Sequence, residues 1–94
     1  MLNDQADTTR ELTLDANAVA GLLLEIFGAE MTVEPAECAH CGNVAEIGTL
    51  LAFTQGPGVV LRCSACGQVV LRIVQTPGAI YLDARGAVYL KLAR

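Results

Sequence analysis

The chain has 94 residues, a formal net charge of −4 and a mean hydropathy of +0.47, with four cysteines, one histidine and no tryptophan. That length admits one domain, and one too small to be secured by apolar burial alone, so a covalent or metal staple is expected. A secretory leader is not expected, since Asn3, Asp4 and Asp7 stand where a basic segment would be needed, and the longest apolar run, residues 18–24, is too short to span a bilayer.

Taken in chain order, residues 1–14 are polar and aperiodic and read as a mobile tail. From Asp15 the residues Ala16, Val19, Leu22, Leu23, Ile26 and Phe27 recur at helical spacing, with Asp15 placed to cap and Gly28 to stop. The expectation is one amphipathic helix over residues 15–27. Strand signals begin at Met31, and the Gly and Pro turns divide them into runs over residues 31–34, 45–54, 59–62 and 68–75. Gln55-Gly56-Pro57-Gly58 reads as a turn, and the segment from Ile80 as a terminal hairpin of residues 80–83 and 87–92 joined through Ala84-Arg85-Gly86. Leu71 and Ile73 alternate with Arg72, and Val88, Leu90 and Leu92 with Tyr89 and Lys91, so one sheet face is apolar and the helix is its expected cover.

All four cysteines fall in two copies of one short motif, Cys38-Ala39-His40-Cys41-Gly42 and Cys63-Ser64-Ala65-Cys66-Gly67, with 21 residues between Cys41 and Cys63. Each Cys-x-x-Cys turn can present two sulfurs to one ion. Two such turns complete the tetrahedral shell that structural Zn²⁺ prefers, with Zn–S bonds of about 2.3 Å. One Zn²⁺ per chain held by Cys38, Cys41, Cys63 and Cys66 is therefore expected, in a shell with no position left for a reacting water. Gly42 and Gly67 allow the turn after each pair to adopt φ > 0, with backbone N–H groups directed at the sulfurs. The alternatives are two disulfides, a redox dithiol, or iron in a site that resembles rubredoxin in its paired Cys-x-x-Cys-Gly turns. The aromatic core of rubredoxin has no counterpart here. Cysteines used for metal imply a reduced, cytoplasmic setting. His40, inside the first knuckle, could replace a sulfur, but is expected to be exposed or to hydrogen-bond a thiolate from outside the shell. Arg62 adjoins Cys63 and would soften the dianionic charge of a four-thiolate zinc site. The fold expected is α+β, a zinc ribbon: a small antiparallel β-sheet with two zinc knuckles, preceded by the amphipathic helix, forming a single domain over residues 15–94.

Those residues carry a resemblance. The chain resembles a family of small bacterial zinc-ribbon proteins, found mainly in actinobacteria and of unknown function. They share a segment similar to Leu14-Asp15-Ala16-Asn17-Ala18-Val19-Ala20-Gly21 and a Cys-x-x-Cys-Gly pair. The similarity covers residues 13–92, including Gly56-Pro57-Gly58, Val69-Val70-Leu71-Arg72 and Asp83-Ala84-Arg85-Gly86. It implies a metal-binding domain and supplies no activity, substrate or partner.

Charge is divided along the chain. Residues 1–57 hold nine acids and one base, whereas residues 58–94 hold Arg62, Arg72, Arg85, Lys91 and Arg94 against the single acid Asp83. The basic half could contact phosphates, which gives a zinc-ribbon nucleic-acid-binding protein as the alternative reading. Against it stand the net acidity and the near absence of stacking aromatics beyond Tyr81 and Tyr89. The preferred reading is a structural-zinc module that binds an unknown protein partner or self-associates, since a helix bearing Leu24 beside the Val19/Leu23/Ile26 stripe has apolar surface to cover. No enzyme, membrane or small-molecule role is expected: there is no nucleophile-base constellation, no carboxylate pair among apolar neighbours and no phosphate-cradling loop.

Overall fold

A computed structural model of the chain describes residues 14–93, which form an α+β fold of two antiparallel sheets and one α-helix. The larger sheet has the order β1-β4-β5-β6-β7, from Leu14–Asp15 (β1), Leu51–Phe53 (β4), Val59–Arg62 (β5), Val69–Thr76 (β6) and Ala79–Asp83 (β7). The smaller has the order β3-β2-β8, from Pro35–Cys38 (β2), Val44–Glu46 (β3) and Ala87–Leu90 (β8). The tail expected over residues 1–14 lies outside the described residues except for Leu14, which pairs with Ala52.

The helix is shorter than its apolar period suggests. Residues Ala16–Val19 form a 3-10 turn and only Ala20–Phe27 (α1) is α-helical. Asp15 does cap the segment, its carboxylate accepting from the Asn17 N–H at 3.1 Å, and Gly28 does stop it, at φ 71° with its N–H on the Leu24 carbonyl. The break lies between them, because Ala16 is fully buried and its N–H donates to the Leu50 carbonyl at 2.9 Å. A 3-10 turn eclipses residues three apart, so it keeps Ala16 and Val19 together against the core. Leu23 of α1 is fully buried with Leu61, Leu71 and Ile73 of the large sheet, and Leu22, Ile26 and Phe27 pack around that cluster. Cross-strand pairing explains the rest of the layer: Ala52, Leu61 and Leu71 stand in one register row and share its inner face.

Three strand expectations are also corrected, two of them before the second cysteine pair. Residues 31–34 turn rather than extend: the Glu30 carboxylate accepts from both the N–H and the hydroxyl of Thr32, and the Glu34 N–H donates to the Met31 carbonyl. These Thr32 bonds also hold the Glu30 carboxyl below its ordinary range. The run 45–54 is divided by a 3-10 turn at Ile47–Thr49, which passes the chain from the small sheet to the large one. Gly48 makes that transfer possible, since a Cβ there would lie 2.7 Å from Asn17 Oδ1 and 2.9 Å from the Thr32 carbonyl oxygen.

The third is the terminal hairpin, which does not form. β7 pairs with β6, whereas β8 pairs with β2, with Ala36 opposite Leu90 and Glu37 opposite Tyr89. The connection is fixed at both ends, by the Arg85 N–H on the Asp83 carboxylate and by the Gly86 carbonyl accepting from the Ala39 N–H at 2.8 Å. The expected single sheet is therefore two, tied together by the chain that crosses β6. No helix among the described residues is long and apolar enough to cross a membrane.

Candidate metal centre

Each Cys-x-x-Cys turn is the tip of a hairpin, the first joining β2 to β3 and the second joining β5 to β6. The two tips are built alike. In the first, the Cys38 N–H donates to the Asn43 carbonyl (2.9 Å), the Gly42 N–H to the Cys38 carbonyl (2.9 Å) and the His40 N–H to Cys38 Sγ (3.4 Å). In the second, the Cys63 N–H donates to the Gln68 carbonyl (2.8 Å), the Gly67 N–H to the Cys63 carbonyl (2.8 Å) and the Ala65 N–H to Cys63 Sγ (3.3 Å). Gly42 and Gly67 adopt φ of 77° and 80°, the left-handed region that the motif demands of them. Register slips at Glu37/Cys38 and at Leu61/Arg62 stand directly before each leading cysteine, as bulges that turn the chain out of the ladder.

The two tips meet. All four sulfurs lie within 4.8 Å of one another, with Cys38 Sγ 3.7 Å from Cys66 Sγ and Cys41 Sγ 3.7 Å from Cys63 Sγ. A disulfide needs about 2.05 Å, and all four cysteines are free. A regular tetrahedron of sulfurs around an ion at about 2.3 Å has edges of about 3.8 Å, so the spacing fits a single tetrahedral metal. The leading cysteines Cys38 and Cys63 are buried, and Cys41 and Cys66 are exposed. The cluster thus forms a plug at the junction of the two sheets.

Electrostatics point the same way. Burial opposes ionisation of Cys63, but the N–H groups of Cys66 and Ala65 and the neighbouring sulfurs of Cys41 and Cys66 overcome it and draw the thiol down to about 7. The Asn43 N–H favours the Cys41 thiolate, yet partial loss of solvation and the three surrounding sulfurs outweigh it and push Cys41 up to about 12. Cys66 is also raised, the help of the Gln68 N–H and of Cys41 being outweighed by partial loss of solvation and by Cys38 and Cys63. Thiols crowded into one small volume compete for the same stabilising N–H groups, so one ionises at the expense of its neighbours. A divalent cation removes that conflict.

The flanking residues sort themselves by geometry. His40 is exposed, and its contact with sulfur is through the backbone N–H. Arg62 holds the second turn by its main chain: its guanidinium donates to the Gly67 carbonyl at 3.0 Å and lies over the Phe53 ring, 5.5 Å from its centroid. It therefore braces the second turn and the sheet beside it. The spacing of the cysteines did not reveal the bond from Ala39 to Gly86, which anchors the first turn to a segment 47 residues downstream. Only a contact across the fold could have disclosed it.

A family of unknown function (DUF6510) matches residues 7–94. The chain belongs to DUF6510. The match runs across both sulfur-bearing turns and every described element of the two sheets, in agreement with the resemblance to a family of unknown function. Comparison with the curated proteins and with the solved structures finds no match. The DUF6510 chain therefore offers a four-cysteine cluster that could hold a metal ion, within a family that supplies no activity.

Proposed function

We propose that this DUF6510 chain is a zinc ribbon, with one structural Zn²⁺ held by Cys38, Cys41, Cys63 and Cys66, and that it acts as a non-catalytic protein-interaction module. The observation that carries the metal reading is the convergence of four sulfurs within 4.8 Å from hairpins of two different sheets. Thiolate softness and tetrahedral spacing favour zinc, and four protein ligands close the shell against an activated water. Native mass spectrometry with elemental analysis of protein purified under reducing conditions tests it. One zinc per chain is expected; iron, or quantitative disulfide without metal, would overturn it.

The interaction reading is supported by β7. Within the described residues this strand is bonded on one side only, and Ile80, Tyr81 and Leu82 are all exposed, Tyr81 at 63%. An apolar edge strand without Pro or Lys to blunt it is a ready site for pairing with a further strand. The nucleic-acid reading loses two of its cations. Arg85 grips Asp83 with two nitrogens, the shorter contact being 2.6 Å, and Arg62 is engaged by Gly67 and Phe53. Salt-titrated binding to duplex DNA and single-stranded RNA is expected to stay in the non-specific range of about 10⁻⁴ to 10⁻⁶ M. A submicromolar, salt-sensitive complex would reverse that ranking.

A further inference from the structure

On the face of the large sheet turned away from α1, Phe53, Val60, Arg72 and Asp83 form one cross-strand row over β4, β5, β6 and β7. Two cavities adjoin this row. One, of about 420 Å³, is lined by Phe53, Pro57, Val60 and Val74 with the two glycines that flank Pro57; the other, of about 360 Å³, includes His40, Asp83 and Arg85. Arg72 borders both. Its side chain is exposed and makes no hydrogen bond among the described residues, in contrast to those of Arg62 and Arg85.

Three features narrow what could lie there. The larger cavity is walled by hydrocarbon and one aromatic ring and falls in the size range of small-molecule sites, so it takes an apolar body on the order of ten carbons. Strands β5 and β6 are bonded to neighbours on both sides, which leaves no main-chain donors or acceptors for an added peptide backbone. A peptide laid across them would bury unpaired amides. Finally, the polar end offers one unengaged cation among the described residues, because Arg85 already neutralises Asp83 while the Asp83 carboxylate still faces Arg72 across the β6–β7 pair. That single free positive charge balances a monoanion and leaves the second charge of a dianion such as hydrogen phosphate without a partner.

We infer that this face is a binding site for a small apolar carboxylic acid, with the carboxylate on the Arg72 guanidinium and the hydrocarbon or aryl body over Phe53, Pro57, Val60 and Val74. A planar carboxylate matches the fork of a guanidinium, and the pairing forms beside a low-dielectric wall. The wall is built from the ends and middles of three strands and the turn between β4 and β5.

The test is a ¹⁵N–¹H titration of the full-length, zinc-loaded chain with octanoate. Octanol and inorganic phosphate serve as matched probes, and Arg72→Gln as the variant. Octanoate is expected to saturate with a Kd below about 1 mM and to move the amides of Phe53, Val60, Arg72 and Val74. One charge-assisted hydrogen bond implies that octanol, and octanoate with Arg72→Gln, bind at least about tenfold more weakly. Phosphate should also trail octanoate by at least that factor. Absence of saturable shifts overturns the proposal, as does octanol equal to octanoate, which would mean an apolar patch alone. Phosphate equal to or tighter than octanoate would mean a general anion site and equally refute it. The octanol and phosphate arms use the unaltered protein, so the result stands even if Arg72→Gln does not fold.

Discussion

Gly86 shows how much a single residue can depend on a contact that its neighbours in sequence do not announce. It lies where the connection from β7 to β8 crosses β6, and a Cβ placed there would meet the Val69 carbonyl oxygen at 1.9 Å and the Val70 Cα at 2.8 Å. Both atoms are backbone, so no rotamer change relieves the clash. Gly86→Ala is expected to destabilise the zinc-loaded chain by at least about 2 kcal/mol, read from the shift of a urea unfolding midpoint. Gly21 is the control, since it sits in α1, where an added methyl group would find nothing within 4 Å. Gly21→Ala should raise stability by about 0.5–1 kcal/mol through helix propensity and a less free unfolded chain. Equal effects of the two changes would show that the crossing at Gly86 is looser than its geometry indicates. Gly42 and Gly67 are readable in the sequence because the Cys-x-x-Cys motif supplies its own local reason for φ > 0. Gly86 is not, because its reason lies on β6.

The elements divide unequally between the two sheets. Leu61, Val70, Leu71 and Ile73 of the large sheet are at most 1% exposed, whereas β3 shows Val44 and β8 shows Val88 and Tyr89 to solvent. The small sheet therefore has little apolar burial of its own and depends on the cluster at Cys38 and Cys41. Structural zinc in small domains binds with about 10–16 kcal/mol of apparent free energy at neutral pH, comparable to a whole domain's stability. Removing the metal with a chelator is expected to abolish hydrogen-exchange protection first in β2, β3 and β8, with the amides of Leu61, Leu71 and Ile73 exchanging later. Cys66→Ser should reproduce that order, because serine is a poor zinc ligand at neutral pH. Simultaneous loss across both sheets would mean that the large sheet has no independent core. The apolar periods locate most of these elements, and the strand over residues 59–62 is legible to the residue. What they miss are the handovers at Ile47–Thr49 and at residues 84–86, where side-chain and backbone contacts from distant segments override a continuous β signal.

For the molecule as a unit, the free edge of β7 sets the expected behaviour. The strand reads Ala-Ile-Tyr-Leu-Asp and keeps its outer edge unpaired among the described residues. Light scattering after size exclusion is expected to show a mass that rises with protein concentration, and Ile80→Lys or Leu82→Lys should return it to the monomer without changing zinc content. A concentration-independent monomer mass for the unaltered chain would count against self-association. The net charge of −4 opposes association at long range, so added salt should favour it.

The donor set of the candidate metal site could be read from the residues alone. Softness of the donors, their spacing and the glycines that follow them are local properties, and local properties survive without knowledge of the fold. The α+β class and the burial of Leu71 and Ile73 were equally legible, because their alternation with Arg72 already states which side of that strand is buried. It took the folded arrangement to show that β8 leaves β7 for β2, that Arg62 and Arg85 are engaged while Arg72 is not, and that Arg72 stands between an apolar and a polar cavity. Each of these is settled by which strands lie side by side, and strand order follows from contacts between residues far apart in the chain, which no window of neighbouring residues contains.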